Sequence, residues 1–457
     1  MAHINFDFLV DSILFGRDLD NDFETLNEST LREELTKYRT HILGHFDEIK
    51  NEVIMDRRKI TVTIESFGNR PDDNILKQLA LYMDCVLIAD PLFSLTEERN
   101  EMTDTWTEYL GMKTEKLIDR KKLSEALRYM KRITPLIVCG YVKFVPISIL
   151  HEAPKQVPIR FAQNNFSDLL PKNIMDFLRK NIEVYNIEKV KDGVRVCLQE
   201  PLKKGTGLYL AFPECPERKG EIVQYTNMRY VTEDATGRML VKIGIPDTIT
   251  DEEFQIWLNQ SINTASRKLY DETYQELYFA QMLHSMYMTR SQFKADLLAK
   301  RVDNNSMQSA IANLTLKLEV PVFHGVDLKD IIEIRQNYGQ SFKNFRNELG
   351  EKLIKLNGLQ DDQNLKRELD IVSYEINETY INDIAKEISS LKRAIGIDGI
   401  VLTGTLLTSY VTGGLSLIGS VAATISAMKD STKLFGDVRE NPGYFLWKID
   451  KKNSRKW

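Results

Sequence analysis

The stretch Gly399 to Met428, GIVLTGTLLTSYVTGGLSLIGSVAATISAM, runs 30 residues without a charge in a chain where 28% of residues are charged. Its apolar side chains must leave water, either in a protein core or in a bilayer. It holds 16 apolar residues, five glycines and nine Ser or Thr. As one helix it would be about 45 Å long, beyond a hydrocarbon core of about 30 Å. Broken at Gly413-Gly414 it becomes two arms of roughly 20 Å, each too short to span upright. The expectation is an apolar helical hairpin whose glycines (Gly404, Gly413, Gly414, Gly419) let backbones approach closely. Two settings stay open for it: the interior of a helical domain, or a membrane. Downstream, Phe445, Trp447 and Trp457 are interleaved with Lys448, Lys451, Lys452, Arg455 and Lys456. That mixture suits a membrane interface, and equally an aromatic tail laid onto the protein body.

The rest of the chain reads as five segments. Residues 1–58 are helices, with Ser29 or Thr30 as an N-cap. Residues 59–150 form a small α/β unit: KITVTIE and CVLIADPLF, joined by a short helix, read as a parallel pair, and YVKFVPIS as a third strand. Residues 151–249 are β-rich, with Lys191-Asp192-Gly193 as a hairpin turn. Residues 250–393 are helical. Thr250 and Glu253 make a capping box for a helix expected to run to residue 288, with Phe254, Leu258, Ile262, Ala265 and Leu269 as its buried stripe. A second stripe, Leu365, Leu369, Val372, Ile376, Tyr380, Ile384, Ile388, Leu391 and Ile395, leads into residues 394–457, the apolar hairpin and its tail. The fold class is α+β: an N-terminal α/β unit with β hairpins, a long helical region, and an apolar C-terminal helical hairpin.

Composition narrows the function. A net charge of −5 gives no field that draws nucleic acid. Cys85, Cys139, Cys197 and Cys215 are far apart, with no metal-finger spacing, and the N-terminus lacks a secretory signal pattern. A cytoplasmic setting is expected, peripheral to the inner membrane if the tail engages lipid.

Three phrases carry a resemblance: LYMDCVLIADPLF with ALRYMKRITPLIVCGYVKFVP; LEVPVFHGVDLKDIIEIRQNYGQSFKNFRNEL; and RENPGYFLWKI. Together they resemble a diffuse group of uncharacterised bacterial proteins with an α/β front, a helical back and a Gly-rich apolar segment before a YFLWK-like close. The resemblance implies a bacterial source and the accessory gene pool that includes phage defence. It carries over no catalytic residue.

Candidate sites stand beside plainer readings. Glu65 and Asp90 close the first two strands, where α/β sheets bind ligands, and two acids there could hold Mg²⁺. Asp84, Glu97, Glu98 and Asp104 are near in sequence, although acids also end strands for solubility and Asp-Pro starts ordinary turns. His41 and His45 lie four apart on a helix with Glu48 three further on, a spacing that can bind a divalent metal or simply face solvent. His284 reads as a core histidine, and Tyr270, Tyr274 and Tyr278 as a packing row. Phe342 and Phe345 read as core, with Arg335 and Arg346 paired to local acids. No phosphate-binding glycine loop or nucleophile elbow occurs.

The leading expectation is a non-enzymatic bacterial sensor or interaction protein, of the antiphage-defence kind. It would use no cofactor, bind a protein partner or a second copy of itself, and employ residues 399–457 for membrane contact or assembly. The alternative is a Mg²⁺-dependent phosphodiesterase or nuclease-like hydrolase centred on Glu65 and Asp90.

Overall fold

The computed structural model describes residues 4–54, 60–64, 71–96, 117–150, 170–300, 315–356, 362–384, 401–402 and 407–412, save 171, 192, 216–219, 234–238, 284, 321–322 and 325. Along the chain come α1 (Ile4–Asp11), α2 (Glu28–Gly44), α3 (Phe46–Ile54), β1 (Thr61–Ile64), α4 (Asp73–Tyr82) and β2 (Cys85–Ala89). Then follow α5 (Arg120–Arg132), α6 (Thr134–Val138), β3 (Val142–Val145) and α7 (Lys172–Asn181). The middle of the chain supplies β4 (Glu183–Val190), β5 (Gly193–Cys197), β6 (Gly207–Ala211), β7 (Glu221–Gln224), β8 (Asn227–Glu233) and β9 (Met239–Gly244). Next are α8 (Asp251–Met282), β10 (Met286–Thr289), α9 (Gln292–Ala299), β11 (Thr315–Val320) and β12 (Phe323–His324). Last are α10 (Leu328–Glu333), α11 (Gln340–Leu356), α12 (Asp362–Glu375), β13 (Val401–Leu402) and β14 (Leu407–Thr412).

Local chemistry explains several boundaries. The α2 cap is Asn27, whose Oδ1 accepts the Thr30 amide at 2.7 Å, so the cap sits ahead of the expected Ser29 or Thr30. Asn is among the strongest caps, and its short amide reaches the first-turn N–H groups. Thr250 and Glu253 make the expected capping box, with Glu253 Oε2 accepting the Thr250 amide at 2.8 Å and Thr250 Oγ1 accepting the Glu253 amide at 3.2 Å. Gly140, at φ 70°, takes the left-handed conformation that stops α6 and turns the chain into β3.

The contacts divide the chain into two units: residues 1–155, 276–290 and 314–457; and residues 156–275 with 291–313. The first holds a six-stranded sheet in the order β3-β2-β1-β10-β14-β11. β3, β2, β1 and β10 run parallel, while β14 is antiparallel to both of its neighbours. Strand alternation sorts side chains between two cores. Val62, Ile64, Val86, Ile88, Val142 and Phe144 join a large core shared with α1, α2, α4, α5 and α11. Cys85, Leu87 and Val145 join a smaller one with Val53 of α3 and with Phe279 and Leu283 at the end of α8.

The second unit holds an antiparallel sheet, β5-β4-β6-β7. Leu208 and Leu210 pack there with Ile174 and Leu178 of α7, with Phe254, Ala265 and Leu269 of α8, and with Phe293 and Leu297 of α9. β4 and β5 pair antiparallel on either side of the expected hairpin turn, with Val190 opposite Gly193.

One expectation is corrected. The long helix ends at Met282 rather than 288, and Met286–Thr289 is a strand inside the sheet, so residues 250–393 are not wholly helical. Tyr287 and Thr289 alternate with Met286 and Met288, a period of two too short to stand out after a 32-residue helix. Within the uncharged stretch, where the helical hairpin is expected, Val401–Leu402 and Leu407–Thr412 are strands. Thr408, Tyr410, Val411 and Thr412 are residue types that favour a pleated surface. Residues 413–457, with the rest of the expected hairpin and the aromatic-basic tail, lie outside the described residues.

Candidate functional site at the edges of the parallel strands

The carboxyl ends of parallel strands are where an α/β sheet offers backbone and side chains to a ligand. Glu65, which follows β1, lies outside the described residues, as do Glu97, Glu98 and Asp104. Asp90 follows β2 and is 2% exposed. Its Oδ1 accepts the amides of Leu92 at 3.0 Å and Phe93 at 2.9 Å, the turn that Asp-Pro starts. Its Oδ2 accepts Asn5 Nδ2 of α1 at 2.6 Å and the Tyr38 hydroxyl of α2 at 2.5 Å. Burial raises the Asp90 carboxyl above the ordinary range, against four donors that favour its charged form. A cation binding here would have to displace donors from both oxygens. Asp90 therefore ties α1 and α2 to the end of β2.

Around the same turn, Arg39 of α2 holds its guanidinium over the Phe93 ring, 5.3 Å from the centroid. Two buried polar atoms nearby have no hydrogen-bond partner among the described residues: Arg39 Nη1 and Asn5 Oδ1. Neither Arg39 nor Asn5 was a sequence candidate. Asn5 and Asp90 are 85 residues apart, and no local pattern announces such a pair.

Between β1 and β10 a polar patch lies on the opposite face. Thr63 and Ser285 share a 2.5 Å hydroxyl contact, and the Tyr287 hydroxyl donates to Glu276 Oε2 at 2.5 Å. All four residues are buried. These hydroxyl pairs satisfy one another, as buried polar groups must.

Asp84 belongs to the amino edge of the sheet, not to a site with Asp90. It precedes β2, where its Oδ2 accepts the Ile60 amide at 2.9 Å. Its Oδ1 meets Arg346 Nε at 3.1 Å and Arg335 Nη2 at 3.5 Å. The two arginines also donate to the carbonyls of Ala80, Leu81, Met83 and Asp84 at the end of α4. Arg335 lies 3.9 Å from the centroid of the Tyr141 ring. Burial, with the Arg335 charge beside it, lowers Arg346 to about 10. Phe342 and Phe345 are fully buried against Tyr82, as core residues. This is a helix C-cap made of two guanidiniums, and it serves the fold.

The His41 and His45 rings lie 4.3 Å apart, and His45 Nδ1 is 2.8 Å from the His41 carbonyl. Burial and the His45 charge lower the His41 pKa. Among the described residues, the one group of three metal-ligand side chains with converging atoms is Glu188, Cys197 and Glu200, not His41, His45 and Glu48. Glu188 faces Arg195 at 3.8 Å and Glu200 faces Lys203 at 3.1 Å, so both carboxylates already have cations. Tyr270 is partly buried against the second core and Tyr278 is exposed, so the tyrosine row does not share one environment. His284 lies outside the described residues.

Among the described residues no helix is long and apolar enough to cross a membrane. No protein-family model, curated protein or solved structure matches the chain.

Proposed function

We propose that the protein is a non-enzymatic bacterial interaction factor of the antiphage-defence kind. It binds a protein partner or a second copy of itself through its body, and uses the chain beyond Gly413 for membrane contact or assembly. One observation carries the reading: β14 is threaded between β10 and β11, so the first part of the uncharged stretch is a strand of the sheet. The remaining uncharged residues, 413–428, and the tail with Phe445, Trp447, Lys451, Lys452 and Trp457 therefore continue from a fixed point of a folded unit. An apolar run followed by aromatic and basic residues is suited to an anionic bilayer surface. The resemblance of the three quoted phrases to uncharacterised bacterial proteins supports the defence setting. The protein acts in the cytoplasm, at the periphery of the inner membrane.

The hydrolase alternative draws less support, because Asp90 would have to give up four donors to reach a metal. Vesicle dye release and sedimentation of oligomers test the leading reading on full-length protein and on protein ending at Thr412. Full-length protein is expected to release dye or assemble, and the shortened form to do neither. Equal behaviour of the two forms removes the reading.

A further inference from the structure

We propose that Arg39 marks a binding site for an oxyanion, a phosphate or a carboxylate, at the turn that follows β2. A guanidinium nitrogen withdrawn from water needs an acceptor, since a buried N–H left unpaired is costly to a fold. The other withdrawn arginines of this unit obey that rule: Arg335 and Arg346 share Asp84 and four backbone carbonyls. Arg39 does not. It makes no ion pair or hydrogen bond among the described residues, its Nη1 is buried without an acceptor, and its one defined contact is the face of Phe93.

The position gives the unpaired group a meaning. Arg39 sits where a parallel sheet presents its ligands, on the turn Asp90–Phe93. Stacking on an aromatic ring holds the plane of the guanidinium while leaving its N–H edge to bind, and that edge matches two oxygens of a phosphate or carboxylate. Asp90 does not pair with it: the carboxylate oxygens accept from Leu92, Phe93, Asn5 and Tyr38 instead. Asn5 of α1, which donates to Asp90 Oδ2 beside this turn, is fully buried and its Oδ1 has no donor among the described residues. Arg39 as a whole is half-buried, so solvent reaches the side chain. The proposed site draws on no residue of the C-terminal segment and, resting on the proposed function, supplies the sensing half of an interaction factor with a chemical class of trigger.

The test is a thermal-shift and calorimetric titration of full-length protein with inorganic phosphate and with succinate, each against sodium chloride at matched ionic strength. One of the two anions is expected to give a saturable stabilisation, and which one does so identifies the oxyanion. Arg39→Gln is expected to abolish that response while keeping a transition temperature at or above the wild type in anion-free buffer, since it removes an unpaired charge. Arg39→Lys, which keeps the charge and loses the fork, is expected to weaken binding about tenfold or more. The proposal is overturned if neither anion gives a saturable shift, or if Arg39→Gln responds as the wild type does. It is also overturned if Arg39→Gln loses its cooperative transition in anion-free buffer, because the guanidinium then serves the fold.

Discussion

Asp90 is the residue on which the enzymatic and structural readings part. Replacing it with Ala would leave the Tyr38 hydroxyl, the Asn5 amide and the Leu92 and Phe93 N–H groups without an acceptor. A loss of about 3–5 kcal/mol is expected, measurable by urea unfolding. Its pH dependence has a definite sign. Because burial raises the Asp90 pKa in the folded state, the folded chain holds that proton more tightly than the unfolded chain. The contribution is full below the ordinary value of 3.8 and is lost as pH rises through the raised folded pKa. Stability of the wild type should therefore fall relative to Asp90→Asn over that window. A flat difference across acidic pH would remove the assignment. At the other edge of the sheet, Asp84→Ala strands two buried guanidiniums and should cost a further 3–5 kcal/mol, roughly, by the same measurement.

Among the elements, those with a strong local signal were legible in the sequence and those defined by distant partners were not. β1, α4 and β2 are where alternation and helical spacing put them, and the capping box at Thr250 is in place. Leu369, Val372, Ile376 and Ile384 of the second stripe are buried, as their spacing implies. β10 escaped because four residues carry too little periodicity after a long helix, and because its partners β1 and β14 lie more than 100 residues away on either side. β14 escaped for a related reason: a run free of charge is equally compatible with a buried strand and a buried helix, and only the pairing partner decides. The site was read less well than the fold. The acid at Asp90 was visible, but its four donors come from α1, α2 and its own turn, so its role depended on tertiary structure. Two measurements follow at this scale. Hydrogen exchange should find the amides of Leu407–Thr412 protected like those of β10, because β14 is paired on both sides; rapid exchange there would contradict its place in the sheet. Thr250→Ala should cost about 1 kcal/mol, with fraying confined to the first turns of α8.

For the whole molecule, the proposed function assigns membrane contact or assembly to the residues that follow β14. Removing residues 399–457 takes a strand from between two others and should unfold the first unit; removing 413–457 should leave its unfolding transition intact. The division falls inside the uncharged stretch: Leu407–Thr412 is a sheet strand, and the residues from the Gly413-Gly414 pair onward are those proposed to reach a membrane or a second copy. The most direct measurement is flotation of full-length protein and of protein ending at Thr412 with vesicles rich in anionic lipid. The account predicts that full-length protein rises with the vesicles and that the shortened form stays in the dense fraction with an unchanged melting transition. Flotation of both forms alike would contradict it, as would flotation of neither when full-length protein also fails to assemble.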